Sequence, residues 1–325
     1  MGKKKAVGLI SGGLDSVIAI KLMQEQNFEV IGVYILTPFI SGFGEKQIKN
    51  LKRIEKEMGF KLRIIEVGDD YFEIVKNPEF GYGKNLNPCI DCRIYMLKIG
   101  KRIMEEEGAE FVFTGEVLNQ RGKSQTINSL KIIEEKSSLK GKLLRPLSAL
   151  HLPESDVEKE GIVDRNKLLG IKGKERKIQF YIAFEKGLKY FETPSGGCLL
   201  TDPQYCKRLK DLFIHKEKPS KKDFLLLQIG RHFRISQDTK LIIPRNEMER
   251  KRMENFIENH DILITDENSQ LLGLLKGKLE ELAFQIVSAY DRKKRIYLAK
   301  YPDGRVIEKR IVGKENKIFF HKFLI

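Results

Sequence analysis

Between Val7 and Ile20 the chain reads VGLISGGLDSVIAI, in which an apolar strand-like run passes through a glycine pair straight into an apolar helix start. A strand without polar alternation is buried on both faces, and one that feeds a helix at once belongs to a parallel sheet with helical crossovers. The same layout builds a cradle for an anion. Gly12 and Gly13 let the backbone curl so that successive N–H groups converge, the following helix adds its positive end, and the hydroxyls of Ser11 and Ser16 add donors. The common nucleotide loop G-x-x-x-x-G-K-S/T uses a lysine to reach the β and γ phosphates, and here that lysine is missing. Asp15 would repel a phosphate unless a divalent cation lay between them, so this loop implies a pyrophosphate bridged by Mg²⁺.

Through residue 150 the strand-like runs KAVGLI, EVIGVYIL, KLRIIEV and EFVFTG alternate with the helical patterns LDSVIAIKLMQEQ, EKQIKNLKRIEKEMG and IDCRIYMLKIGKRIMEEEG. The expected fold is α/β, a doubly wound parallel sheet, with ligands beyond the carboxyl ends of its strands. Residues 151–215 read as a polar helical segment in which GIKGKERKIQFYIAFEKG is the clearest helix. From Phe224 the runs FLLLQIG, KLIIP, DILITD, RIYLAKYPDGRVIEKRIV and KIFFHKFLI suggest a separate, mostly β or α+β domain over 222–325, with KEKPSKK (Lys216 to Lys222) as a linker. No internal repeat or low-complexity tract is visible.

A chain of 325 residues, 41% hydrophobic, can bury a substantial core. No apolar run approaches the roughly 20 residues that cross a bilayer, and MGKKKAVGLI enters a strand without a signal-peptide pattern, so the expectation is a cytoplasmic protein with no membrane partner. The net charge of +15 favours a polyanionic partner, nucleic acid first, and residues 207–325 hold 27 Lys and Arg against 17 Asp and Glu.

Four cysteines bear on the chemistry. Cys89 and Cys92 stand in NPCIDCR, Cys198 in PSGGCLLTD, and Cys206 has no motif around it. One C-x-x-C without a second pair makes a poor structural zinc site. Two readings stand: Cys89, Cys92 and Cys198 converge on a 4Fe-4S cluster with one iron open to sulfide, or Cys89 and Cys198 act as thiols, one carrying a persulfide that the other attacks.

The residues SGGLDS at Ser11 to Ser16 resemble the loop of the PP-loop ATP pyrophosphatases, the adenine nucleotide alpha hydrolase-like enzymes, which implies cleavage of ATP between its α and β phosphates. NPCIDC together with PSGGCLLTDP at Pro194 to Pro203 looks like the tRNA thiouridylases. TGEVLNQRGKSQ at Thr114 to Gln125 and LLRPLS at Leu143 to Ser148 are similar to the nucleotide-side motifs of that group and of tRNA 4-thiouridine synthases. The likeness covers roughly Lys4 to Phe213. It departs from the usual 2-thiouridylase at Glu116 and Val117, where a histidine and a tyrosine are usual, and it shows neither the long C-terminal barrel region of those enzymes nor the ferredoxin-like and THUMP domains of the usual 4-thiouridine synthases. DFLLLQIGRHFRISQDTKLIIPRNEMER at Asp223 to Arg250 resembles the NFACT-R RNA-binding domain.

The resemblance implies a tRNA sulfurtransferase in which a uridine carbonyl oxygen attacks the α phosphate of ATP and sulfur then displaces AMP, giving 2-thiouridine or 4-thiouridine. Asp15, Cys89 and Cys198 would be catalytic. Ser11, Gly12, Gly13, Asp15, Ser16, Gly115, Lys123 and Arg145 would bind ATP and Mg²⁺, and Cys89, Cys92 and Cys198 would hold the cluster, which the three motif cysteines favour over the relay. Lys174 and Arg176 would grip tRNA, and Arg231, His232, Arg234, Lys240 and Arg245 would contact RNA phosphates. The sulfur donor would be sulfide or a persulfide made by a cysteine desulfurase, and the oligomeric state, a homodimer included, stays open. Two other classes compete: an amidotransferase-type ATP pyrophosphatase acting on a small molecule, and a non-catalytic RNA-binding factor with a degenerate nucleotide fold.

Overall fold

The computed structural model describes residues 2–192, 197–291, 296–311 and 316–325. Pro194, Ser195 and Gly196 of the third-cysteine motif lie outside the described residues, as do Arg295 and Val312 at the ends of the predicted hairpin run. The chain divides into two compact units, Met1–Thr201 and Asp202–Ile325.

In the first unit, strand β1 (Lys5–Leu9) is covered on both sides, as an unbroken apolar run requires. It pairs in parallel with β2 (Glu29–Leu36) and β4 (Phe111–Thr114), so that Val7 lies between Ile31 and Val112. Strands β3 (Lys61–Glu66) and β5 (Leu143–Leu144) complete a five-stranded sheet in the order β3-β2-β1-β4-β5. The chain runs outward from β1 through β2 to β3 and then crosses back to β4. The order therefore reverses beside β1, and the loops after β1 and β4 open into the crevice at that switch point. This is the doubly wound parallel sheet expected from the sequence.

Helices α1 (Leu14–Glu25), α2 (Glu45–Met58), α3 (Asp69–Lys76), α4 (Cys89–Glu107) and α5 (Ile127–Lys136) flank the sheet. Helix α2 shows the cause of its own boundaries: Leu51 and Ile54 face the core while its lysines face water, and Gly59 ends it in a left-handed conformation with its N–H donating to Glu55. The short α6 (Asp156–Lys159) carries a Ser155–Glu158 capping box. Helix α7 (Lys177–Glu185) is shorter than the run predicted from Gly170, because Gly173 takes φ +91° and breaks any helix before Arg176.

The second unit opens with α8 (Pro203–His215), a helix expected within the segment 151–215 that precedes this domain. Helix α9 (Lys221–Leu226) takes in Phe224–Leu226, the start of the run FLLLQIG; a capping box between Ser220 and Asp223 starts a helix there, and a short apolar run alone cannot tell helix from strand. Lys216 of the expected linker pairs with Asp223 at 2.7 Å, so KEKPSKK is an ordered part of this unit. Strands β6 (Arg231–Arg234), β7 (Lys240–Ile243), β8 (Ile262–Asp266), β9 (Leu271–Lys276), β10 (Ile296–Lys300) and β11 (Val306–Arg310) form an antiparallel sheet, with α10 (Glu247–Glu254) and α11 (Glu281–Tyr290) beside it in sequence. KIFFHKFLI is not a strand: Lys317–Phe323 forms tight 3₁₀ turns capped by Asn316, and Phe320 is the side chain it buries in the core. No helix among the described residues is long and apolar enough to cross a membrane.

Candidate functional site

The glycine loop connects β1 to α1, and its form follows from close backbone approach. Gly12 takes φ +77°, a conformation that disfavours a side chain. On the other wall, a Cβ on Gly115 would lie 2.6 Å from the carbonyl carbon of Asp15 and the amide nitrogen of Ser16, so the turn after β4 rests directly on the start of α1. Ser16 Oγ donates to the Gly13 carbonyl at 2.8 Å and holds that turn closed, while Ser11 Oγ lies 3.4 Å from the Gly13 N–H. The segment at Glu192 runs parallel to the loop, with its N–H donating to Gly12 at 2.8 Å.

Around this loop the polar groups are incompletely paired. Asp15 Oδ1, Gln120 Nε2, both amide atoms of Gln179, Glu192 Oε1 and Asn50 Nδ2 are buried without a hydrogen-bond partner among the described residues. They cluster at the loop: Asn50 faces Gly12, Glu192 pairs with the backbone of Gly13, and Gln120 and Gln179 adjoin Asp15. Burial pushes the Asp15 carboxyl up, opposed by Gln120, Arg176, Gln179 and Arg121 in turn. Native proteins rarely leave such groups unpaired, and a bound molecule rich in donors and acceptors explains them together. An unpaired carboxylate oxygen beside converging backbone N–H groups fits a hard cation with oxygen ligands that bridges to phosphate.

The cysteines of the two motifs meet in the same unit. Cys89 and Cys92 occupy the first turn of α4, three residues apart and so on one face. Cys198 is brought to them by backbone pairing: it bridges Ile40, Leu199 N–H donates to the Phe39 carbonyl at 2.8 Å, and Leu86 N–H donates to the Leu200 carbonyl at 3.1 Å. All three thiols are half-buried and none forms a disulfide. Burial pushes the Cys198 thiol up to about 12, with Cys92 and then Cys89 adding to the rise. Burial likewise raises Cys89, against Arg93, Arg121 and Lys123, and Cys92, against its hydrogen bond to Tyr71 and the charge of Arg93. Three neutral thiols that resist ionising together, ringed by cations, are a donor set that a metal cluster would complete by displacing their protons. Tyr71, 2% exposed, shares a 3.1 Å hydrogen bond with Cys92 Sγ. Cys206 is buried and belongs to the second unit.

Arg121 links the two centres. It is exposed to solvent, and partial burial together with Arg93 lowers its pKa. Its charge is felt by Asp15 on one side and by Cys89 and Cys198 on the other.

Several expected residues stand elsewhere than the sequence suggests. Arg176, expected on the tRNA side, has Nη2 at 4.0 Å from Asp15 Oδ2 and belongs to the loop site. Lys174 is exposed. Lys123 sits beside Cys89, its Nζ donating to Gly81 at 3.1 Å. Arg145 is 5% exposed, and its guanidinium donates to Glu116 at 3.2 Å, Glu134 at 3.0 Å and the Leu130 carbonyl at 3.1 Å. With those donors engaged in the interior it braces the turn after β4 and is not placed to hold a phosphate.

The RNA-contact set of the second unit is not brought together as a free face. His232 and Arg234 do share a side of β6, but α8 covers that side. His232 is fully buried with Nε2–H donating to the Ile229 carbonyl at 2.8 Å, and burial, then Lys240 and Arg208, hold its pKa well below the usual value. Arg234 grips Asp211 of α8 through two bonds of 2.9 and 2.8 Å, and the buried Lys240 adds a third at 2.9 Å. Arg231 lies over the Tyr290 ring at 5.1 Å, and Arg245 pairs with Glu249 at 2.8 Å. Gln179, Glu192, Arg121 and Tyr71 escaped the sequence reading. Arg121 was within reach of it, inside the motif TGEVLNQRGKSQ.

Residues 2–171 match the family model "Thiamine biosynthesis protein (ThiI)", and residues 230–297 match that of the NFACT protein RNA binding domain. A probable tRNA sulfurtransferase of Thermococcus kodakarensis is 33% identical over 171 residues, 51% of this chain and 41% of that protein. The tRNA-specific 2-thiouridylase MnmA of Campylobacter concisus is 31% identical over 116 residues, 34% of each. The match thus spans well under half the length of these relatives. A solved structure of the U34-tRNA thiolase NcsA from Methanococcus maripaludis with its 4Fe-4S cluster aligns at a TM-score of 0.37 and 22% identity over 69% of this chain and 70% of that one.

Proposed function

This chain belongs to the ThiI family, and from that premise we propose that it is an ATP-dependent tRNA sulfurtransferase that makes 2-thiouridine or 4-thiouridine. The observation that carries the reading is that one stretch of chain serves both centres: Glu192 N–H donates to the Gly12 carbonyl of the loop at 2.8 Å, and Cys198, six positions later, bridges Ile40 as one of the three motif cysteines. Replacing a carbonyl oxygen by sulfur needs both centres at one carbon, because that oxygen leaves only after activation.

In the proposed reaction a uridine carbonyl oxygen forms a bond to the α phosphorus as the bond to pyrophosphate breaks. A sulfur nucleophile then attacks the activated carbon, and AMP leaves with the oxygen. The N–H groups of the Gly12–Gly13 loop and the N-terminus of α1 bind the pyrophosphate oxygens. Asp15 is the residue that would hold a Mg²⁺, which when bound would screen the carboxylate from them, and Arg176 and Arg121 offset charge that develops on phosphate. Gly115 keeps the far wall close. Cys89, Cys92 and Cys198 are the residues that would hold a 4Fe-4S cluster, which when bound would offer one open iron to a sulfide. Cys92 favours this over a two-thiol relay, since it stands one helical turn from Cys89 on the same face and a relay does not need it. The NFACT-type match supports RNA as the partner of the second unit.

The test uses the full chain purified without oxygen and given ATP, Mg²⁺, sulfide and tRNA. Expected are AMP release that depends on tRNA and thiouridine in the digested tRNA by mass spectrometry. AMP release indifferent to tRNA, with no sulfur incorporated, would sink the reading. Cys92→Ala should abolish both iron binding and thiolation; survival of thiolation would favour the persulfide relay.

A further inference from the structure

Helix α7 has two unlike faces. Its inner face packs on α1 and sends Gln179 to the loop site, fully buried, while Arg176 at its start lies 4.0 Å from Asp15. Its outer face is apolar and uncovered: Ile178 is 57% exposed, Phe180 45%, Tyr181 65% and Phe184 81%. Tyr181 and Phe184, three apart, and Phe180 and Phe184, four apart, are neighbours on one helical surface, and Phe191 extends it with its ring 6.2 Å from that of Phe180.

Lysines rim this surface. Lys172, Lys174, Lys177 and Lys189 are exposed, and none forms a salt bridge among the described residues, against two exposed glutamates, Glu175 and Glu185. Lys172, Lys174, Lys177 and Ile178 also line a recess of about 180 Å³ at one end of the helix. Exposed rings flanked by unpaired cations suit an unpaired nucleic-acid strand: bases stack on the rings whatever their sequence, and the lysines follow the phosphates. A purely apolar partner would leave those four ammonium groups without counterparts.

We propose that the outer face of α7, with Phe180, Tyr181 and Phe184 ringed by Lys172, Lys174, Lys177 and Lys189, is a stacking platform for unpaired bases of the RNA substrate. The inference rests on the reading of RNA as substrate. It adds a way to aim the base, since the helix that carries the platform also reaches the loop site through Gln179 and Arg176. A nucleotide held on its outside is thereby kept within a helix diameter, roughly 10–12 Å, of the pocket on its inside.

The experiment measures tRNA affinity of the full chain by fluorescence anisotropy for the unaltered protein, for F180A/Y181A/F184A, for F180L/Y181L/F184L, and for K172E/K174E/K177E. The three ring positions are exposed, so the melting temperature should hold, which separates lost binding from lost folding. Expected is a dissociation constant weakened at least about ten-fold in both the alanine and the leucine variants, because leucine restores apolar area and not a ring face. The lysine variant should weaken binding and flatten its salt dependence. Unchanged affinity in the alanine variant would overturn the platform while leaving the substrate reading intact. So would full rescue by leucine, or a dimer of the unaltered protein that the alanine variant breaks with RNA affinity unmoved. Failure of the unaltered protein to bind tRNA at all would remove both readings together.

Discussion

Asp15 in the first unit and Asp211 in the second are both carboxylates taken from water, with side chains 15% and 7% exposed, each beside an arginine. Their surroundings are opposite. Arg176 stops 4.0 Å from Asp15, Oδ1 has no partner among the described residues, and burial drives the carboxyl up. At Asp211 burial pulls the same way, but the two-bonded Arg234 and the ammonium of Lys240 outweigh it and hold the carboxyl below its usual range. A buried charge that the fold itself satisfies is part of the architecture, whereas one left unsatisfied is waiting for something that binds. The contrast also explains why the basic surplus of residues 207–325 does not translate into a row of free cations: Arg234, Lys240, Lys216, Lys276 and Arg245 are engaged with acids of their own unit.

The contrast breaks first, and by the largest amount, at Asp211. Asp211→Ala leaves Lys240 and Arg234 facing each other in the interior and should lower stability by about 3–5 kcal/mol, read as an earlier urea midpoint of the second unit's transition. Arg145→Ala should cost a similar amount in the first unit, about 3–5 kcal/mol, because the buried Glu116 keeps only Arg93 at 3.5 Å and the Thr114 hydroxyl, while Glu134 and the Leu130 carbonyl lose their guanidinium donor. If that variant instead keeps its stability and loses only ATP affinity, Arg145 is a ligand contact after all. Asp15→Asn should do the reverse of Asp211→Ala: stability unchanged or slightly raised, and Mg²⁺-ATP affinity by calorimetry reduced at least about ten-fold.

The smallest effect is set by pH. His232 has a folded pKa far below its unfolded value, so below about pH 6.5 the unfolded chain takes up a proton that the native one refuses. Its contribution is present above that pH and is lost as pH falls, by up to about 1.4 kcal/mol per pH unit until the folded pKa is reached. His232→Gln should flatten that acid slope in urea titrations between pH 6.5 and 5; an unaltered slope would mean the ring is not shielded.

Much of the architecture was written locally. The run into Gly12 and Gly13, the alternation of apolar strands with helical periods, and the cysteine motifs each depend on neighbours a few residues apart, and the structure has β1 to β4 and α1, α2 and α4 where those patterns put them. Short apolar runs were the exception, since the Ser220–Asp223 box and the Asn316 cap put helical turns into FLLLQIG and KIFFHKFLI, two runs of a domain expected to be mostly β or α+β.

What no local pattern could fix is which charge meets which. Arg176 faces an aspartate 161 positions earlier, and Arg234 faces one 23 positions earlier; periodicity carries no record of either meeting. The convergence of Cys198 on Cys89 and Cys92 likewise depends on backbone pairing with Phe39 and Ile40. Sequence by itself determined the cradle, the sheet and the presence of sulfur ligands, because those follow from backbone freedom, hydrophobic period and residue chemistry. Only the tertiary structure decided which groups are satisfied and which are left open, because burial and pairing are properties of the folded surroundings and not of any single residue.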